Sequence, residues 1–140
     1  MRGTNALCGR LGLEPQADCI TEVPTFSLEA GQQAARRLLE LPNPPTAIFG
    51  AADLLAIGAM QAIEERGLSV PEDIAVVGYN NIDLAAPVKP ALTTVSAPGY
   101  EMGAAAMTML MQLMAGHAPK RRRIKLPTKL VVRRSCGCRG

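Results

Sequence analysis

The sequence predicts an α/β fold in which helices cover both faces of a parallel β-sheet, giving three layers. Short apolar runs alternate along the chain with amphipathic stretches, which is typical of repeated βα units. The run Ile74-Ala75-Val76-Val77-Gly78 is continuously apolar, as expected of a parallel strand buried on both faces. With 140 residues, of which 48% are hydrophobic and 19% charged, the chain is long enough to bury one core.

Local signals place the first elements. A short helix is expected over residues 3–11, and a strand over residues 19–23. Ser27 follows with N-cap chemistry, because its hydroxyl can accept a backbone N–H of a first helical turn. Apolar residues then recur at helical spacing, and Pro42 ends this predicted helix.

A second βα unit begins with a predicted strand over residues 46–49. Asp53 is expected to cap the next helix, which runs through Arg66, and Gly67 suits the left-handed position after the last turn. From Leu54 to Met60 this helix is apolar nearly all round, so we expect it to be buried on two sides.

The last third of the chain contains a brief strand over residues 93–95, a break at residues 97–99 and a helix to Ala115. That helix carries five of the seven methionines. Such a stripe indicates core packing by adaptable side chains rather than a cofactor site. Two short strands, over residues 123–126 and 129–133, are expected to complete the fold.

Charge and cysteine content weigh against two kinds of site. Residues 1–116 carry six Lys/Arg against twelve Asp/Glu, whereas residues 117–140 carry nine Lys/Arg and no acid. The basic run over residues 120–123 has no interleaved aromatic residue and no groove-reading motif, which favours a solvated loop over a nucleic-acid contact. Cys136-Gly137-Cys138 has neither the spacing nor the partner pair of a zinc site, so unbridged cytosolic thiols are expected. The sequence predicts no metal and no cofactor.

The sequence also predicts a cytoplasmic protein that is not an enzyme. No apolar run reaches the length of a membrane span, and residues 1–10 lack the apolar stretch of a signal peptide. No nucleophile elbow, phosphate-binding loop, dinucleotide fingerprint or zinc-protease motif occurs. The only histidine, His117, lies beyond the predicted methionine-rich helix, so a Ser-His-Asp triad is not expected.

Candidate binding residues follow the predicted strands. Ligands of open α/β sheets bind at the carboxyl ends of the strands, which selects loops 24–27, 50–53, 79–83 and 96–99. These loops offer an aromatic face, a carboxylate and two adjacent amides, a set that suits a sugar or nucleoside-like ligand: Phe26, Asp53, Asn80 and Asn81. The alternative is structural, with the carboxylate only capping its helix and the two amides only forming a turn.

Three blocks of the chain resemble the effector domain of LacI/GalR-type bacterial transcriptional regulators. These blocks are PTAIFGAADLLAIGA, GLSVPEDIAVVGYNN and PALTTVSAPGYEMG, and the ending LPTKLVVRRS is similar to the family's last strand. The resemblance is collinear and covers essentially the whole chain.

This resemblance implies a periplasmic-binding-protein-like fold of type I, in which two α/β subdomains hold a ligand between them. Residues 1–97 would form part of the C-terminal, effector-binding subdomain. Residues 98–127 would supply a helix and a strand of an otherwise absent N-terminal subdomain, and residues 128–140 the last strand and a basic, cysteine-containing tail. The apolar face of the methionine-rich helix is then expected to seek a partner.

The resemblance also implies roles for single residues. Phe26 matches the family's aromatic residue that stacks on the ligand ring. Asn80 stands where the family usually has an Asp, so that an amide replaces a charge, and Ala52 replaces the usual Asn before Asp53. The implied dimer interface comprises Ile57, Met60, Gln61, Leu84, Pro87 and Val88. An ordinary buried helix is the alternative explanation for the apolar residues in this set.

These observations lead to one leading hypothesis and two alternatives. The leading one is the effector-binding and dimerisation domain of a LacI-type regulator, with a carbohydrate-like effector, a homodimer, and DNA contact only through a headpiece absent from this chain. A sugar-binding protein of a transport system would share the fold, but the missing export signal and the regulator-like blocks argue against it. A sugar-modifying enzyme would need a catalytic set that the sequence does not offer.

Overall fold

The computed structural model describes residues 17–118 and 123–138, and its centre is a four-stranded sheet of order β1-β2-β3-β4. Strands β1, β2 and β3 are mutually parallel, and β4 runs antiparallel to β3. The strands are β1 (Ala47–Phe49), β2 (Ala75–Tyr79), β3 (Thr93–Ser96) and β4 (Lys129–Val131). The helices are α1 (Leu28–Leu39), α2 (Asp53–Glu65) and α3 (Gly99–Met114). The predicted α/β class with a mainly parallel sheet is confirmed, while the helix expected over residues 3–11 lies outside the described residues.

Helix α1 begins as the sequence predicts. The Ser27 hydroxyl accepts a hydrogen bond from the Ala30 backbone N–H at 3.2 Å, which satisfies one donor of the first turn. In the same turn, hydrogen bonds from its own backbone N–H and from the Ser27 side chain lower the pKa of Glu29. A negative charge at this end also interacts favourably with the helix dipole.

Helix α2 ends at the predicted glycine. Gly67 has a φ of +72°, and its N–H donates to the Glu64 carbonyl at 2.9 Å. The N–H of Leu68 reaches back to the Ile63 carbonyl at 3.1 Å. This pair of bonds defines a Schellman motif, so the predicted left-handed C-terminal position is confirmed.

Helix α2 is the centre of the core because it packs against α1 on one side and against β2 on another. Two glycines allow the close approach of α1 and α2. A Cβ at Gly31 would collide with the backbone of Leu55, and a Cβ at Gly58 would collide with the Leu28 carbonyl. The expected burial of α2 on two sides is therefore confirmed. The core it organises contains Ala56, Ile57, Ala59, Met60, Ala62, Ile63, Ile74, Val76 and Leu92.

The strand expected over residues 19–23 is wrong. Residues Ala17–Cys19 form a 3-10 turn, and residues 20–23 have no regular secondary structure. Ile20, Thr21 and Val23 instead line a cavity of about 380 Å³ whose lining also includes β1. A strand exists only when its backbone groups pair with a neighbour, and this cavity separates the segment from the edge of the sheet.

The strand expected over residues 123–126 is also wrong. The chain has no regular structure from Arg123 to Thr128, and Ile124 is 45% exposed. Only Lys129–Val131 pairs with β3, so the final predicted strand is confirmed but ends two residues early.

Helix α3 is almost unpacked, contrary to the expectation that its methionines lie in a core. None of its residues is buried, and Tyr100, Met107 and Met114 are 87%, 57% and 80% exposed. Glu101 and Gln112 lie on the one polar stripe of the helix, and most of the remaining circumference is apolar. Such an exposed face is what a helix of a second subdomain would show, which stays a prediction. No helix within residues 17–118 and 123–138 has the length and apolar character needed to cross a membrane.

Replacing one methionine by alanine on each helix compares the packed helix α2 with the unpacked helix α3. Met60 on α2 is 6% exposed, whereas Met107 on α3 is 57% exposed. We expect Met60→Ala to lower the free energy of unfolding by about 2–5 kcal/mol, because it leaves a cavity in the core. Met107→Ala should change it by less than about 0.5 kcal/mol. Urea denaturation of both variants measures the difference, and equal losses would contradict the packing described above.

Candidate functional site

The predicted binding edge is present in the structure. Strands β1, β2 and β3 are parallel, so the loops that follow Phe49, Tyr79 and Ser96 leave the same edge of the sheet. This carboxyl edge is where open α/β sheets bind ligands. The four sequence-predicted binding residues differ in what they do there.

Asp53 is a buried anchor of this edge rather than a helix cap. Its residue is 1% exposed, and its Oδ1 accepts a hydrogen bond from the Thr94 hydroxyl at 2.5 Å. Its Oδ2 accepts the backbone N–H of Ile82 at 2.8 Å. The N-cap of α2 is Ala52, and no side chain caps it. The predicted capping role is wrong because both carboxylate oxygens point across the sheet edge to β3 and to the loop after β2.

Gly78 makes room for this carboxylate. A Cβ at position 78 would collide with Asp53 Oδ1 and would lie 2.9 Å from Leu92 Cδ2. Any side chain at this point of β2 would therefore have to displace the Asp53 carboxylate.

Asn80 and Asn81 form a left-handed turn at the end of β2. Their φ angles are +111° and +54°, a region in which asparagine is tolerated better than most residues. The Asn80 backbone N–H donates to the Val95 carbonyl at 2.9 Å, while its side chain is exposed. The predicted turn is confirmed, and Asn80 is the member of the pair whose amide is open to solvent.

The Asn81 side chain is held from the far end of the chain. Its Oδ1 accepts a hydrogen bond from Arg133 Nη2 at 2.8 Å, and Arg133 Nη1 donates to the Leu92 carbonyl at 2.7 Å. The Asn81 N–H donates to Thr94 Oγ1 at 3.3 Å. Asp53 and Asn81 thus meet through Thr94, and both serve the architecture of the loop.

A second hydroxyl fastens the C-terminal segment to the sheet. Ser135 is fully buried, and its Oγ donates to the Val76 carbonyl at 2.6 Å and accepts the Thr93 N–H at 2.8 Å. The Arg133 N–H donates to Thr93 Oγ1 at 2.8 Å. Sequence reasoning missed Thr94, Arg133 and Ser135 as site residues because each acts on partners about 40 or more positions away, which no local pattern reports.

Phe26 lies near the end of β1. It is 66% exposed and lines the 380 Å³ cavity together with Gly50 and the 58% exposed Phe49. Apolar side chains of α1, β1 and α2 form most of this cavity, and neither asparagine lines it. Phe49 was also missed, although an aromatic residue that ends a strand before a candidate loop is a visible signal.

The residues of the expected dimer interface form two groups, one buried within the chain and one more exposed. Ile57 and Met60 are 5% and 6% exposed, so burial within the chain itself accounts for them. Gln61 is exposed, as are Leu84 and Pro87, and Val88 packs partly against the core. Only this second group can contribute area to a contact between protomers.

Acidic, cysteine and histidine side chains do not gather into a metal-binding group anywhere in the described part of the chain. His117 is exposed just after α3, and its backbone N–H donates to the Gln112 carbonyl at 2.9 Å. Of the basic run over residues 120–123, only Arg123 lies within the described residues, and it is exposed.

Comparisons with known proteins agree with this architecture. Residues 1–136 match the model of the periplasmic binding protein-like domain family. Over 91 residues the chain is 46% identical to the HTH-type transcriptional repressor CytR of Escherichia coli K12, which covers 65% of this chain and 27% of the repressor.

Solved structures of regulators are similar as well. A regulatory protein of the LacI family from Chloroflexus aggregans superposes with a TM-score of 0.84 at 29% identity, covering 96% of this chain and 48% of that one. A complex of the transcriptional regulator CelR with cellobiose has a TM-score of 0.87 at 30% identity, covering 96% of this chain and 41% of that one. The matched segments thus span about a quarter of the curated repressor and less than half of these solved chains.

Proposed function

Because the chain belongs to the LacI/GalR family of transcriptional regulators, whose effector region is a periplasmic-binding-protein-like domain, we propose that it binds a small polar effector and dimerises. The observation that carries the effector proposal is the braced turn after β2. It presents the exposed Asn80 amide at the carboxyl edge of the sheet, while Asn81 is tied back by Arg133. An exposed amide that both donates and accepts is suited to a hydroxyl-rich ligand.

The proposed effector is carbohydrate-like. Phe26 offers an exposed ring on which the apolar face of a sugar can stack, and Asn80 offers hydrogen bonds to hydroxyl groups. The similar regulator CelR is described in complex with cellobiose, a disaccharide. Buried Asp53 does not touch the ligand in this proposal. It holds the loop after β2 instead.

Binding would act on DNA through domain closure. We assign residues 1–97 to the effector-binding subdomain, residues 98–127 to a second subdomain and residues 128–140 to the returning strand and tail. In support, α3 has no buried residue and β4 returns antiparallel to β3. An effector held between two subdomains favours the closed state by its differential affinity, which changes how a paired headpiece outside these residues meets DNA.

A sugar-binding transport protein and a sugar-modifying enzyme are the less favoured alternatives. The similar proteins reported above are transcriptional regulators, not enzymes and not transport proteins. A regulator acts in the cytoplasm, where this proposal places the chain.

Calorimetric titration tests the effector proposal. Cellobiose is the first probe, followed by a panel of sugars and nucleosides, and we expect heat from at least one of them. Asn80→Gly, which tolerates the positive φ of this position, and Phe26→Ala should each weaken that binding by about tenfold, because each removes one contact to the ligand. Asn43→Gly, which changes an exposed asparagine in the loop after α1, is the matched control and should bind normally. The absence of heat from the whole panel would refute the proposal.

Sedimentation tests the dimer proposal. Leu84 is 40% exposed and lies in the loop after β2, within the proposed interface. We expect the protein to sediment as a dimer, and Leu84→Asp to raise its dissociation constant by at least about tenfold, because a charge would then have to be buried. Leu130→Asp, at a 55% exposed position on β4, is the control that should leave the dimer unchanged. A monomeric wild type would refute the dimer, and equal effects of the two variants would show that the interface lies elsewhere.

A further inference from the structure

The C-terminal turn contains two thiols that the proposed function does not use. Cys136 and Cys138 are not bridged in the structure, and Gly137 between them has a φ of +69°. The Gly137 N–H donates to the Arg134 carbonyl at 3.2 Å, which closes the turn. Cys136 is half-buried and Cys138 is exposed, and the Cys138 thiol donates to the Cys136 carbonyl at 3.8 Å.

Several donors surround the Cys136 sulfur. The backbone N–H of Cys138 donates to Cys136 Sγ at 3.4 Å. Burial raises the pKa of the Cys136 thiol, but hydrogen bonds from the Thr93 hydroxyl and from Cys138 outweigh this and lower it below the usual value. The Cys136 sulfur and its charge in turn raise the pKa of Cys138. The two thiols are therefore unequal, and Cys136 carries the greater thiolate character.

This arrangement matches the chemistry of oxidisable thiols. Such cysteines are accessible, have thiolate character and lie next to a second cysteine that can displace the first product. The 3.4 Å contact brings the Cys136 sulfur to the backbone of residue 138, so closing a bond requires rotation of the exposed Cys138 side chain. A Cβ built at Gly137 would meet only Pro71, whose Cβ would lie 3.5 Å away, so the space beside the turn is open.

We propose that Cys136 and Cys138 form a modification site for hydroperoxides, in which Cys136 is oxidised first and Cys138 then closes an intrachain disulfide. The Cys136 thiolate sulfur attacks a peroxide oxygen and the O–O bond breaks. Sulfur is oxidised to a sulfenic acid by two electrons, and hydroxide leaves. The Cys138 sulfur then attacks the sulfenic sulfur, its thiol proton leaves with the displaced hydroxide as water, and the S–S bond forms.

The location couples this site to the braced turn. Cys136 donates to the Arg133 carbonyl at 3.7 Å, and Arg133 is the residue that holds Asn81. This bond needs the thiol proton, so it is lost when Cys136 ionises to the thiolate that reacts, and the disulfide cannot restore it. The modification itself does not depend on the effector proposal, because it needs only the two thiols and their donors.

Peptide mapping after mild peroxide treatment tests the site. Trypsin releases residues 135–139 as one peptide that contains both cysteines, because it cleaves after Arg134 and Arg139. With hydrogen peroxide as the probe, we expect this peptide to lose two hydrogen atoms at a dose that leaves Cys19 reduced. The reaction should be at least about tenfold faster than oxidation of the remaining thiol in Cys136→Ser, which lacks the activated sulfur.

The matched variant Cys138→Ser keeps the activated thiol and lacks its partner. We expect it to accumulate a sulfenic acid on Cys136 that a cyclic dione traps, with a circular dichroism spectrum equal to that of the wild type. Equal oxidation rates in the two serine variants would overturn the proposal. So would a disulfide that links two chains in a non-reducing gel, or a pair that stays reduced at a dose that oxidises Cys19.

Discussion

The buried carboxylate of Asp53 is the constraint on which the rest of the candidate site depends. A buried carboxylate is costly unless its oxygens are hydrogen-bonded. Here the Thr94 hydroxyl and the Ile82 N–H satisfy one oxygen each, so the start of α2, the middle of β3 and the loop after β2 take fixed relative positions. The same requirement explains Gly78, since any side chain there would occupy the space of Oδ1. This arrangement also positions Asn80, because β2 ends directly before it and the Asp53–Ile82 hydrogen bond holds the loop after it.

A second set of bonds extends this arrangement to the C-terminal segment. Arg133 reaches Asn81 and the Leu92 carbonyl, and Ser135 joins β2 to β3 through Val76 and Thr93. Residues that follow β4 therefore hold the loop that carries Asn80 and Asn81. Under the proposed division into two subdomains, β4 would return from the second subdomain and then brace this loop, which would connect domain closure with ligand binding. Cys136 and Cys138, the two C-terminal thiols, lie directly after Ser135 in this segment.

Local signals in the sequence were sufficient for much of the fold. Ser27 begins α1, Gly67 ends α2, and the apolar run before Gly78 is a strand, because each depends on chemistry within a few residues. The pairing of strands could not be predicted from such local signals. Residues 19–23 and 123–126 have strand-like composition but no neighbour to pair with in the described structure, and composition does not report a neighbour. The capping role predicted for Asp53 was wrong, since its hydrogen-bond partners lie 29 and 41 positions away. The exposure of α3 likewise depends on what surrounds it, which its methionine content does not show.

Amide hydrogen exchange at Ile82 tests the central claim most directly. If the Asp53 carboxylate fixes the loop, the Ile82 N–H should exchange only through global unfolding, despite its place in a connecting segment. In Asp53→Ala, both acceptor oxygens are lost and the Ile82 N–H has no side-chain partner, so the protection of this amide should fall by at least about thirtyfold, as expected for the loss of about 2 kcal/mol. Rapid exchange of the Ile82 amide in the wild-type protein, or unchanged protection in the variant, would contradict the account.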